Sequence, residues 1–263
     1  MTAALADTVQ RLANTEAFAS LRPSFQAYYG APDRDAAMDA LYRRFIPNGG
    51  LAFDIGAHVG DRTQSFRRLG ARVVALEPQP LCATALREIF ADDPNVMLVE
   101  MACAASPGTL TFHVNSDNPT VSTASPDFIT EADGADGWAD QRWDAEISVQ
   151  ATTLDELIAS HGQPDFIKID VEGFEHTVLA GLSSKPVALS FEFTTIQRPT
   201  ALRALKHLAD LGNYRYDVAL GESQQLRFGQ GHEVGADTMA DIILALPHDA
   251  NSGDIYAVRQ SST

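Results

Sequence analysis

The sequence predicts an α/β fold, a doubly wound and largely parallel sheet with its ligand site on one edge. Three observations predict it. Apolar runs at 51–55, 72–77, 96–101 and 165–170 alternate with stretches of helical periodicity, the rhythm of βαβ units. The first run sits in LAFDIGAHVG (51–60) and ends in Asp54, with Gly56 and Gly60 behind it, as a strand does when it stops in a tight turn and opens a helix. Right-handed crossovers then bring the strand C-termini and the loops after them to a single edge. Glu77, Asp170 and Glu192 end later strands at that same edge.

Taken in order, residues 3–22 and 33–46 read as helices, the second from Met38, Leu41, Tyr42 and Phe45 at helical spacing. Residues 1–48 are expected to form a helical cap, with core packing or helix docking as the role of Tyr28 and Tyr29. The remaining 49–263 form the ligand-binding domain. Strand 51–55 leads to a helix near 60–69, and strand 72–77 to a helix near 80–91. A turn at Asp92–Asn95 precedes strand 96–101. The alternating segments 108–115 and 146–151 are expected to pair as an antiparallel hairpin bounding an insert, 109–151. The acidic middle of this insert, around Trp138 and Trp143, is too long for an ordinary connection, so a lid is preferred over a poorly ordered excursion. A helix at 153–160, strand 165–170, a helix marked by Phe174, Val178, Leu179 and Leu182, strand 187–193 and an amphipathic helix at 200–211 follow. The last strands are placed at 215–220 and 241–246, with GDIYAVRQ as a further strand or docked tail.

The glycine loop is not of the dinucleotide type. Its pattern is D-x-G-x-x-x-G rather than G-x-G-x-x-G, and Asp54 would repel a pyrophosphate. No Lys closes it, as a phosphate-cradling loop requires, and Arg62, Arg67 and Arg68 fall at helix positions expected to be solvated. Gly56 permits the turn, and Gly60 permits close approach of a ligand or of the next helix. Glu77, in RVVALEP, is an acid at the end of the second strand, suited to a ribose hydroxyl pair. A ligand with an amine, a ribose and an adenine fits this set, and S-adenosylmethionine is such a ligand.

A second concentration of chemistry lies in KIDVEGFE (168–175). Asp170, Glu172 and Glu192 are expected to converge near Asp54 and Glu77. Such acids can hold an amine, orient hydroxyls, bind a divalent ion or act as a base. Glu175 is expected to serve the helix N-terminus instead, Lys168 to neutralise neighbouring acids, and His176 to be either a base or an ordinary helix histidine.

With 19 basic against 35 acidic residues the formal charge is −16, which argues against nucleic acid and anionic membrane as partners. The two cysteines, Cys82 and Cys103, are expected as reduced, buried thiols. No apolar run reaches membrane-spanning length and no signal peptide is recognised, so the cytoplasm is the expected compartment. Oligomeric state is not legible.

The chain resembles the FkbM-type S-adenosylmethionine-dependent methyltransferases. The resemblance is carried by FDIGAHVGDRT (53–63), LEPQP (76–80), TTLDEL (152–157), DFIKIDVEGFEHTVLAG (165–181) and SFEF (190–193), in order and spacing. It implies a Rossmann-like seven-stranded sheet of the class I methyltransferase type with the last strand antiparallel, ADIILALP standing at that strand. It implies O-methylation of a hydroxyl on a sugar, polyketide or other natural-product small molecule. It places Asp54, Gly56 and Gly60 at the methionine part of the cofactor, with Ala57, His58 and Thr63 in the same loop. Glu77 with Pro78 would meet the ribose, Glu100, Met101 and Ala102 the adenine, and Asp170 the reacting methyl. The family commonly has Asn at His58, and a protonated His58 beside a sulfonium would be unfavourable. Asp170 or Glu172, with His176 as alternative, is the expected proton acceptor, and a divalent ion on Asp170, Glu172 and Glu192 is a variant of the same chemistry. A nicotinamide-dependent dehydrogenase and a non-catalytic binding module are the competing classes.

Overall fold

The structure, a computed structural model, describes residues 3–260. Helix α1 (Ala3–Ala13), a 3-10 segment (Glu16–Leu21), α2 (Arg22–Tyr28) and α3 (Pro32–Tyr42) precede the sheet. The expected helix over 3–22 is thus broken, with non-helical backbone at Phe18 (φ −112°, ψ 22°). Then come β1 (Leu51–Ile55), α4 (Asp61–Arg68), β2 (Arg72–Leu76), α5 (Pro80–Ile89) and β3 (Val96–Val99). The inserted part holds β4 (Ala102–Cys103), β5 (Gly108–Val114), α6 (Pro126–Ala132) and β6 (Ala145–Thr152). The chain continues through α7 (Leu154–His161), β7 (Phe166–Ile169), α8 (Glu175–Ala180), β8 (Ala188–Thr194), α9 (Arg198–Leu211), β9 (Tyr214–Leu220), α10 (Ala236–Ala245) and β10 (Ser252–Arg259).

The main sheet has seven strands in the order β3-β2-β1-β7-β8-β10-β9. The pairs among β3, β2, β1, β7 and β8 are parallel, and β10, the last strand, lies antiparallel between β8 and β9. This is the α/β class and the mixed seven-stranded sheet expected. The identity of the last strand is corrected: residues 241–246 belong almost wholly to α10, and the C-terminal SGDIYAVR forms the strand. The apolar run misleads because only one face of α10 is covered: Met239 and Ile243, four apart, are buried while Leu244 is 56% exposed.

Strand alternation divides the core in two. Leu51, Phe53 and Ile55 of β1 join Ile167, Ile169, Leu189 and Phe191 on the face covered by α7 to α10. Ala52, Val73, Ala75 and Phe166 face α3 to α5 and the N-terminal helices. Each fully buried Phe or Ile contributes roughly 1.5–3 kcal/mol. The stripe read in α3 docks here: Tyr42 meets Phe66 edge-on at 4.8 Å, and Phe45 stacks on Phe166 at 5.2 Å. Residues 3–46 therefore share a core with the sheet.

The insert is a built wall. β5 pairs antiparallel with β6 from Gly108↔Ala151 to Val114↔Ala145, the expected hairpin, and β4 adds parallel to β6. Phe128 is fully buried against Trp138, edge-on at 5.1 Å, and Ser125 caps α6 by accepting Phe128 N–H. Trp143 Nε1 donates to Val121 O at 2.9 Å. Among the described residues, no helix is long and apolar enough to cross a membrane.

Candidate active site

The C-terminal ends of β1, β2, β7 and β8 open into a cavity of about 250 Å³. Its wall includes Asp54, Gly56, Ala57, His58, Glu77, Pro78, Lys168, Asp170, Glu172 and Glu192. It is closed by Tyr28 from the N-terminal helices, by Thr120, Ser122 and Trp138 from the insert, and by Asn251 and Ser252 at the start of β10.

Gly56 turns the chain at φ +85°, and a Cβ there would lie 1.8 Å from Asp170 O. Only glycine lets the β1 and β7 loops touch this closely. Gly56 and Ala57 N–H both donate to Leu76 O, at 3.0 and 2.8 Å, which ties the loop to β2. Asp54 is 1% exposed and accepts Thr63 Oγ1 at 2.6 Å. Burial pushes its carboxyl up to about 6 against the bond from Thr63. Thr63 itself holds Asp54 and lies off the cavity. Gly60 does not line it: a Cβ there would meet Phe90 at 2.6 Å and Leu86 at 2.7 Å, so the glycine lets the end of α5 pack closely.

Glu77 is a buried bidentate acceptor. Its Oε2 takes His58 N–H and its Oε1 takes Gln79 N–H, both at 2.8 Å, and burial raises it to about 7. His58 sits at φ +49° and is enclosed by Ser24 Oγ at 2.9 Å, Thr120 Oγ1 at 3.3 Å and Cys82 Sγ at 3.5 Å. Burial lowers its pKa to about 4, so the imidazole is neutral at physiological pH. The repulsion foreseen between a charged His58 and a sulfonium does not arise. Cys82 and Cys103 are both buried free thiols.

An apolar slot continues from the cavity between Leu76, Pro78, Met101, Ala102, Phe112 and Val171. Met101 and Ala102 line this slot. Glu100 does not: it is drawn outward into an ion pair with Arg87.

On the opposite wall, Lys168 is 1% exposed and its Nζ pairs with Asp170 and Asp254 at 2.9 Å each. Burial alone would raise Asp170, but Lys168 and a hydrogen bond from Glu192 outweigh it and hold the carboxyl below its ordinary value. Burial, then the Asp170 charge, pushes Glu172 and Glu192 well above theirs. Carboxylate oxygens of Asp170, Glu172 and Glu192 all lie within 4.8 Å of one another. Glu175 staples the loop, its Oε1 accepting Val171 and Gly173 N–H at 3.1 and 3.2 Å. His176 does not line the cavity, and burial, then the nearby Arg203 and His207, lowers its pKa.

The expected solvation of the arginines is corrected. Arg62 is 9% exposed rather than solvated, pairing with Asp61 at 2.6 Å and Glu222 at 2.9 Å. Arg67 and Arg68 are likewise engaged, with Asp93 and Asp39. Tyr28 packs against the core as expected and also reaches the cavity, edge-on to His58 at 6.3 Å and under the Arg34 guanidinium at 4.9 Å. Sequence reasoning missed Asp61, Gln79, Glu222 and Asn251 as wall residues. For Glu222 a signal existed: β9 runs parallel to β8, so the loop after it emerges at the ligand edge.

A profile of the methyltransferase FkbM domain matches residues 54–216. Among curated proteins none matches significantly. Solved structures with similar shape include a precorrin-6y C5,15-methyltransferase from Geobacter metallireducens (14% identity, 89% of this chain and 91% of that chain, TM-score 0.47). A second is an O-methyltransferase from Bacillus cereus in complex with SAH (12% identity, 97% and 91%, TM-score 0.45). A third is a putative rRNA-methylase from Clostridium thermocellum (8% identity, 87% and 96%, TM-score 0.46). The match to the domain profile spans more than half of the chain, from the Asp54 strand end through β8 and α9 into β9, and the chain belongs to the FkbM family of S-adenosylmethionine-dependent methyltransferases.

Proposed function

We propose that the protein transfers the methyl group of S-adenosylmethionine to a hydroxyl oxygen of a small acceptor, of the sugar, polyketide or natural-product kind. The observation that carries this reading is Asp170. It is a carboxylate kept ionised by Lys168 at the cavity wall, directly against the Gly56 turn. A hydroxyl attacking carbon must lose its proton, and a positioned carboxylate takes it. Burial and then the Asp170 charge favour the protonated forms of Glu172 and Glu192, which leaves Asp170 as the member of the cluster favoured in its ionised form, and His176 lies elsewhere.

In this reading Asp54, Gly56 and Ala57 hold the amino-acid end of the donor, Glu77 accepts from the ribose hydroxyls, and Pro78, Met101 and Ala102 flank the adenine. The donor supplies an electrophilic methyl on a sulfonium. The acid-lined wall favours that positive charge, and neutral His58 does not oppose it. Tyr28 and Trp138 close the acceptor side and exclude water, so that oxygen, carbon and sulfur are held in line. Membrane surfaces and nucleic acid, both anionic, are disfavoured as acceptors by the wall and by the charge of −16.

The test is transfer of labelled methyl from S-adenosylmethionine to a panel of neutral hydroxylated acceptors by wild type and Asp170→Asn. We expect label on oxygen, with kcat in the variant down by about 10²-fold or more and donor affinity little changed. Label found only on nitrogen or carbon, or full turnover by Asp170→Asn, removes the reading.

A further inference from the structure

We propose that Asp170, Glu172 and Glu192 form a site for one divalent cation of the oxygen-preferring class, magnesium or manganese, which takes the acceptor oxygen as a further ligand. This deepens the O-methyltransferase reading and rests on it.

The three carboxylates come from the β7 loop and from β8, and each offers an oxygen within 4.8 Å of the others. A hard divalent ion sits at about 2.0–2.6 Å from each oxygen ligand. Neighbouring ligand oxygens then lie about 3 Å apart and opposite ones about 4–5 Å apart, so the observed spread needs only side-chain adjustment. A second observation is independent of that clustering. Glu192 Oε2 is shut off from solvent and accepts no hydrogen bond from a donor group among the described residues, the hydrogen bond of Glu192 to Asp170 lying within the cluster itself. A buried carboxylate oxygen left so is costly, and Glu192 lines the cavity together with Asp170 and Glu172.

Charge balance points the same way. Lys168 is the nearest cation, but it is divided between Asp170 and Asp254, and Asp254 alone is enough to balance it. Arg62, the other cation on the wall, is matched by Asp61 and Glu222. Among the described residues, the three clustered carboxylates therefore share one half-engaged cation, Lys168, and neither Glu172 nor Glu192 forms an ion pair. Asp170 meets Lys168 through Oδ2, which leaves Oδ1 for an ion. Three protein oxygens leave positions open on a six-coordinate ion, and a hydroxyl bound there has its pKa lowered at the atom that attacks.

The experiment is a titration of Mn²⁺ into the full chain, stripped with chelator and saturated with S-adenosylhomocysteine, with free Mn²⁺ read by electron paramagnetic resonance. We expect one ion per chain, at least tenfold weaker binding in both Glu192→Gln and Glu172→Gln, and unchanged S-adenosylhomocysteine affinity as evidence that both variants fold. Methyl transfer should fall at least tenfold on chelation and return with Mg²⁺ or Mn²⁺. No binding up to about 5 mM Mn²⁺, above the range of weak biological sites, overturns the proposal. So does binding unaffected in both variants. Transfer to oxygen that persists in chelated protein overturns the ion while leaving the O-methyltransferase reading intact. Wild type that binds no S-adenosylhomocysteine removes that reading and the ion with it.

Discussion

At the scale of single residues, Gly56 and Glu77 carry the donor side of the proposed site. Gly56→Ala would drive a Cβ to 1.8 Å from Asp170 O, in a backbone conformation at φ +85° that alanine rarely adopts. Backbone, not a flexible side chain, is in the way, so the expected loss is on the order of 3–5 kcal/mol, read as a lower urea midpoint at unchanged slope. Gly60→Ala meets only the side chains of Phe90 and Leu86, which can shift, and should cost less in the same measurement. Glu77→Gln tests a different quantity. Both oxygens of Glu77 accept backbone N–H groups, so an amide nitrogen would face a donor. The expected result is a loss of stability of about 1–3 kcal/mol and donor binding about tenfold weaker by calorimetry, since one ribose acceptor is lost or turned away. Donor binding equal to wild type would show that Glu77 supports the loop alone.

At the scale of elements, what was legible in the sequence followed from periodicity and strand ends. β1, β2, β7 and β8 are buried strands that contain an acid near the end or are followed by one, and their loops had to share an edge once the crossovers were right-handed. Asp54, Glu77, Asp170, Glu172 and Glu192 could therefore be gathered before any coordinates. The misread α10 had the opposite difficulty. An apolar run of strand length carries no period, and its burial on one face only is decided by α9 and β9 packed against it. The partners of Arg62 and the fate of Glu100 were illegible because ion pairs between separate segments, Arg62 with Glu222 or Arg87 with Glu100, leave no local pattern. The insert was legible as a hairpin but not as a wall, since Trp138 is fixed by Phe128 and by Asn251, 113 residues away, whose Oδ1 accepts its Nε1–H at 3.2 Å. Trp138→Ala should destabilise by about 3–5 kcal/mol if the insert melts as part of the whole. It should raise the acceptor KM while donor affinity holds, because Trp138 lines the main cavity and not the apolar slot proposed for the adenine. A weaker donor with unchanged acceptor KM would place the insert over the donor instead.

For the whole molecule, the concentration of buried acids at one sheet edge makes both stability and donor binding depend on pH, in opposite directions. Asp54 is raised to about 6, Glu77 and Glu175 to about 7, and Glu172 and Glu192 well above their ordinary value, in each case first by burial. A carboxyl raised in the folded state binds its proton more tightly there than in the unfolded chain, so its contribution is full at low pH and lost as pH rises through the folded value. His58 opposes this. Lowered to about 4 by burial, it favours folding more as pH rises toward its ordinary value of 6.5. Asp61, Asp93 and Asp170, lowered by cationic partners that outweigh burial, act below the ordinary carboxylate range and leave the window from about pH 5 to 8 to the others. Seven raised carboxyls, Asp254 and Glu131 included, against two lowered imidazoles, His58 and His176, in a chain of formal charge −16, give the ligand-free protein a Tm that falls from about pH 5.5 to about pH 8. Donor binding has the reverse sign. A sulfonium and a ribose diol favour ionised Asp54 and Glu77, so below about pH 7 binding must expel a proton from Glu77 and affinity rises with pH, by up to about tenfold per unit. The difference between Tm with and without S-adenosylmethionine should therefore widen from about pH 5.5 to about pH 8. A gap that stays constant would mean that neither carboxyl changes its protonation on binding, and Glu77 would lose its place at the ribose.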